Sequence, residues 1–152
     1  MHRIAMTAIV LLSAAAAVEA QTSQMTSQQI GQYTYYNGQV YGQALSGTSQ
    51  RIGQYNYTNV RVGTQSYRAT SQQIGQYGYT NWSNGVTATT QRVGDYLYTT
   101  TSTGARYVTH RIGDYTYTTG PNGYRATSQA IGQSNYTTIR SSTLPRVYPP
   151  RR

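Results

Sequence analysis

An all-β tandem-repeat fold is what this sequence predicts, on three observations. Six near-identical copies of Ile-Gly-Gln-Tyr-x-Tyr recur, and their glycines (Gly31, Gly53, Gly75, Gly94, Gly113 and Gly132) stand 22, 22, 19, 19 and 19 residues apart. A fixed period near twenty marks a unit too small to bury its own apolar face, so that it stacks on its neighbours. The composition joins 17 tyrosines to Thr, Ser, Gln, Asn and Gly, with no phenylalanine and little leucine, which favours strands and turns over helices. Each repeated glycine also sits between two short alternating runs, where it predicts a hairpin turn.

Taken in chain order, residues 1–20 differ from the rest. His2 and Arg3 precede an apolar stretch from Ile4 to Leu12, and small residues lead to Val18-Glu19-Ala20. That pattern predicts a secretory signal peptide cleaved near Ala20, being too short and wrongly flanked for a membrane span. The expected location is secreted, periplasmic or at the cell surface. No later segment is apolar enough to cross a bilayer as a helix, and the chain has no cysteine for a disulfide or a lipid anchor.

Residues 21–140 are predicted to form one β-repeat domain of six strand-turn-strand units. With Gly at the first central position, a two-residue type II′ turn sets Ile112 opposite Tyr115 and His110 opposite Tyr117. Side chains alternate along a strand, so the apolar residue, the tyrosines and the residue two before the apolar one share a face. The expected repeat core is therefore Ile30, Tyr33 and Tyr35; Ile52, Tyr55 and Tyr57; Ile74, Tyr77 and Tyr79; Val93, Tyr96 and Tyr98; Ile112, Tyr115 and Tyr117; and, in a degraded last copy, Ile131 and Tyr136. The residue two before is Gln28, Gln50, Gln72, Gln91, His110 and Gln129 in turn. The opposite face takes Ser27, Ser49, Ser71, Thr90, Thr109 and Ser128, with Gln29, Arg51, Gln73, Arg92, Arg111 and Ala130 beside the turn. A single strand running through the glycine would scatter the apolar set, so the hairpin is preferred.

The second turn of each unit varies, with Asn37-Gly38, Asn84-Gly85 and Gly120-Pro121-Asn122-Gly123 as turn sequences, and the change in period is expected there. About twelve strands exceed what one open sheet holds comfortably. They are expected to close as a meandering sandwich or barrel, or to coil as a flat β-solenoid, either of which would bury the Ile and Tyr face. Residues 141–152, with three prolines among them, predict a basic flexible tail.

The repeats resemble those of small exported bacterial proteins carrying tandem T-S-x-x-I-G-x-Y/F-x-Y units, over residues 26 to about 139. They are more distantly similar to curli-type repeats, and that resemblance implies an assembled extracellular fibre. The tyrosine doublets, the arginines and the Ile-Gly-Gln/Asp turn depart from the curli pattern.

Catalysis is not expected. Beyond the leader the only carboxylates are Asp95 and Asp114, at turn positions held elsewhere by Gln32, Gln54, Gln76 and Gln133, and the only histidine, His110, stands where other copies have Gln. Interchange with glutamine points to turn geometry and hydrogen bonding rather than acid-base work. No metal-ligand spacing recurs and no phosphate-cradling loop is present, so neither metal nor cofactor is expected.

Two functional expectations follow. One is a structural or adhesive protein of the cell surface or extracellular matrix that packs on itself as a homo-oligomer or fibre, since uncharged, β-prone, Gln-rich strands favour such assembly and arginines beside the turns act as gatekeepers. The other is a binding module for acidic polysaccharide or another extracellular polyanion. The net charge is +9, and Arg51, Arg92 and Arg111 near the tight turn, with Arg68, Arg106 and Arg125 near the variable turn, would form a stripe supported by tyrosines. Asn56-Tyr57-Thr58, Asn81-Trp82-Ser83 and Asn135-Tyr136-Thr137 fit the glycan acceptor pattern, which matters only on a eukaryotic secretory route.

Overall fold

The computed structural model describes residues 22–141. The expected leader and, apart from Ser141, the expected tail lie outside the described residues. Twelve strands follow one another: β1 (Ser23–Ile30), β2 (Tyr33–Val40), β3 (Gln43–Ile52), β4 (Tyr55–Val62), β5 (Gln65–Ile74), β6 (Tyr77–Trp82), β7 (Thr87–Val93), β8 (Tyr96–Thr101), β9 (Arg106–Ile112), β10 (Tyr115–Thr119), β11 (Arg125–Ile131) and β12 (Ser134–Arg140). Each pairs antiparallel with its sequence neighbours, and β12 returns to β1, so the sheet closes into a barrel.

The tight turns form as the glycines predict. Gly31 has φ +62° and Gly113 φ +58°, while the Gln or Asp that follows keeps an ordinary negative φ, the combination of a type II′ turn. Tyr115 pairs with Ile112 and Tyr117 with His110. Successive repeats then join with a constant stagger. The first tyrosine of one unit pairs with the residue two before the apolar position of the next: Tyr33 with Gln50, Tyr55 with Gln72, Tyr77 with Gln91, Tyr96 with His110 and Tyr115 with Gln129. The closing seam repeats it, Ser134 pairing with Gln28. Such a stagger tilts the strands, roughly 35–45° in barrels, and lets a sheet meet its own first strand. The seam also copies the bonding of the other junctions: Gln29 N donates to Gln133 O at 3.2 Å, as Arg51 N does to Gln32 O at 3.3 Å and Ala130 N to Asp114 O at 3.0 Å.

The two sides of the sheet segregate as expected, but the interior takes the other side. Of the 17 residues expected as repeat core, all but Tyr117 are exposed, from 39% for Tyr115 to 62% for Ile112. The interior receives the small and hydroxyl residues instead. Ser49 bonds Thr58 (3.0 Å), Ser71 bonds Thr80 (3.0 Å), Thr90 bonds Thr99 (2.8 Å), Thr109 bonds Thr118 (2.8 Å) and Ser128 bonds Thr137 (2.7 Å). On the enclosed side Ser and Thr satisfy one another's hydroxyls across each hairpin, so these polar groups are buried without loss of hydrogen bonding.

Larger apolar groups enter the interior toward the end opposite the tight turns. Met25, Tyr36, Val40, Leu45, Val60 and Val62 form one cluster, with Tyr41 and Tyr67 against it. Tyr107, Tyr124, Ala126 and Ile139 form a second, smaller one. The variable turns lie at this end too, with one correction. Asn37-Gly38 is inside β2, paired with β1 and β3, and a Cβ on Gly38 would stand 2.2 Å from the Gln24 carbonyl oxygen. Close approach of two strands, not a turn, requires that glycine. The reversal comes four residues later at Tyr41-Gly42, where both residues have positive φ. The 22-residue repeats thus use longer strands and two-residue turns. The 19-residue ones use shorter strands and loops of four or five residues closed by bonds such as Trp82 N to Val86 O and Thr101 N to Ala105 O, both 2.9 Å.

Candidate functional site

The barrel's most distinctive surface is the ring of apolar and aromatic side chains around its tight-turn end. Every even strand from β2 to β10 projects two tyrosines on alternate residues, and each odd strand projects Ile or Val beside the turn. Tyrosines within a doublet lie 6.2–6.4 Å apart between ring centroids, tilted by 25–36°. The constant stagger places each Gln or His between two of them, except Gln28 at the closing seam, which lies between Tyr35 and Ser134. Gln91 pairs with Tyr77 of the preceding repeat and Tyr98 of its own, and its amide donates to the Tyr77 hydroxyl at 3.3 Å. His110 does the same with rings, 5.5 Å from Tyr96 and 5.4 Å from Tyr117. A planar amide or imidazole therefore carries the girdle across the repeat junctions other than the closing seam, which explains why His substitutes for Gln there. Sequence reasoning missed this inter-repeat contact, whose signal is the planar residue always two before Ile or Val.

The arginines expected to form one stripe are divided. Arg51, Arg92 and Arg111 fall on the interior parity of their strands, at the tight-turn mouth. Two of them hold the turn itself: Arg51 Nε donates to Gly53 O at 3.3 Å and Arg111 Nε to Gly113 O at 2.8 Å. The amides of Gln29 and Gln73 make the equivalent bonds at 3.3 and 3.4 Å, so Arg and Gln alternate here because either can donate to that carbonyl. Arg68, Arg106 and Arg125 instead point outward at the opposite end, separated from the first three by the length and the thickness of the wall. Arg61 and Arg140, which sequence reasoning passed over, join them there. Their signal was parity, since Arg61 lies four residues after Tyr57 on the same face.

Asp95 and Asp114 occupy the second position of tight turns, as their exchange with Gln implies. Among the described residues no group of three or more His, Cys, Asp or Glu could hold a metal. Of the glycan acceptor sequences, Asn56 faces the interior and accepts a hydrogen bond from Ser49 Oγ at 2.8 Å. Inside the barrel, Trp82 Nε1 and the Tyr124 hydroxyl are buried without a hydrogen-bond partner. Burial, reinforced by Tyr107 and Tyr41, pushes the Tyr124 phenol far above its usual range. Burial likewise raises Tyr36, against a smaller opposing effect of its hydrogen bond with Ser49.

No helix among the described residues is long and apolar enough to cross a membrane. Compared with known proteins, the chain matches no family model, no curated protein and no solved structure.

Proposed function

We propose that this is a non-enzymatic, exported structural or adhesive protein whose barrels associate side by side through the Ile and Tyr girdle. The observation that carries the reading is the girdle's continuity: 16 exposed large hydrophobics recur through all six repeats around a closed wall. Monomeric soluble proteins seldom present so extended an apolar surface. A second copy suits it because five of the six repeats offer the same set of Ile or Val, two tyrosines and a Gln or His at the same height, a self-complementary patch for an isologous contact. The rows that form it carry no arginine or carboxylate.

A lipid bilayer fits the girdle less well. A membrane barrel needs an outward apolar band about 25 Å tall. Here the apolar rows span two residues along the strand, roughly 7 Å, and Asn37, Asn59, Asn81 and Arg68 follow on the same outward face.

Sedimentation across a concentration series at low and moderate salt tests the reading. Species that grow with concentration, resist salt and disappear in a Tyr55→Thr, Tyr57→Thr, Tyr77→Thr, Tyr79→Thr variant are expected. A monomer at every concentration would remove self-association.

A further inference from the structure

We infer that the outward rim at the loop end of the barrel is an anion-binding site for acidic polysaccharide, centred on Arg106, Arg125 and Arg140. Arg125 on β11 and Arg140 on β12 are direct cross-strand partners, and both are exposed. Like charges directly opposite one another destabilise a sheet. No carboxylate offsets them, since Asp95 and Asp114, the only two among the described residues, sit in turns at the other end. Arg106 stands on the same outward face two strands from Arg125 and two residues further along, roughly 12 Å away. On the far wall Arg61 and Arg68 form a second cationic pair, Arg68 pairing with Asn59 and Arg61 lying two residues further along β4. Unlike Arg51 and Arg111, whose guanidiniums hold turn carbonyls, none of these five guanidiniums has a hydrogen-bond acceptor among the described residues.

The chemistry around the rim selects the polyanion. Outward neighbours of the arginines are Thr100, Thr119, Thr127, Thr138 and Asn59, hydroxyls and an amide suited to sugar hydroxyls. The rings on which nucleobases would stack lie at the other end: Tyr57 and Arg61 are four residues apart on one strand, roughly 13 Å. Guanidiniums pair bidentately with carboxylates and sulfates. Two cationic patches on opposite walls let one barrel hold two polymer chains, or one chain twice, with the gain in avidity that two linked contacts bring. The site shares no residue with the girdle, so it stands or falls separately from self-association.

The test is retention of the purified full chain on immobilised polygalacturonate over a salt gradient, with uncharged dextran and double-stranded DNA as parallel supports. The expected result is retention on polygalacturonate and none on dextran. An Arg125→Gln, Arg140→Gln variant should lose about tenfold or more in affinity and about two in the slope of log affinity against log salt. Its melting temperature should hold or rise, because a like-charge pair is relieved. An Arg51→Gln, Arg92→Gln, Arg111→Gln variant should keep most of its retention, and so should the girdle variant. Equal losses in the Arg125/Arg140 and Arg51/Arg92/Arg111 variants, absence of retention, or tighter retention on DNA than on polygalacturonate would each overturn the assignment.

Discussion

The two sides of one barrel wall obey opposite rules. Leu45 and Ile52 lie seven residues apart on β3, yet Leu45 is 3% exposed on the inner side and Ile52 is 55% exposed on the outer. Along most of the barrel the inner side holds the smaller, more polar residues and the outer side the larger, more apolar ones. Within the repeats, hydroxyl pairs and alanines line the interior, where the hydroxyls satisfy one another, while the tyrosines are turned out. Hydrophobicity alone would have sorted them the other way, and what remains outside is a surface that invites a partner.

Alkaline pH should break the inner side most completely. Burial raises the phenol pKa of Tyr124, Tyr36 and, less buried, Tyr41 above the ordinary value of 10.0. Their contribution to stability is fully present below that value. As pH climbs beyond it, the unfolded chain ionises first and stability falls. Chemical denaturation at pH 8 and at about pH 11 should show a lower midpoint at the higher pH; equal midpoints would mean these phenols are not buried.

Leu45→Ala should come next, losing about 3 kcal/mol through the cavity left in the larger cluster. Gly38→Val should lose about 2 kcal/mol, because β1 and β2 must separate to admit a side chain between them. Thr58→Val keeps the shape but removes the hydroxyl that meets Ser49, and about 1 kcal/mol should go with it. Smallest of all is Ile52→Ala on the outer side, within about 0.5 kcal/mol in dilute protein. Urea midpoints for these four variants would order the series. If Ile52→Ala rivalled Leu45→Ala, the assignment of sides would be reversed.

Particular residues show how far the sequence could be read. The glycine-centred turns, the pairing of Ile112 with Tyr115, the strand count and the segregation of faces were all legible, because each depends on neighbours within one repeat. Asn37-Gly38 misled because Asn-Gly is also what a close approach between strands tolerates, and nothing local shows that Gln24 lies against it. Arg51 and Arg125 were expected to share one stripe, yet one clasps a turn from the inside and the other faces Arg140 on the outside. Telling them apart required knowing which strand neighbours each.

The sequence by itself determined the unit: an all-β hairpin with a fixed turn, two chemically distinct faces and a planar residue at a constant offset from the tyrosines. The tertiary structure decided which face is inside. Closure is what makes one face an interior, since the same stagger added at every junction brings β12 onto β1, and the face it encloses is the one whose Ser and Thr hydroxyls pair with each other.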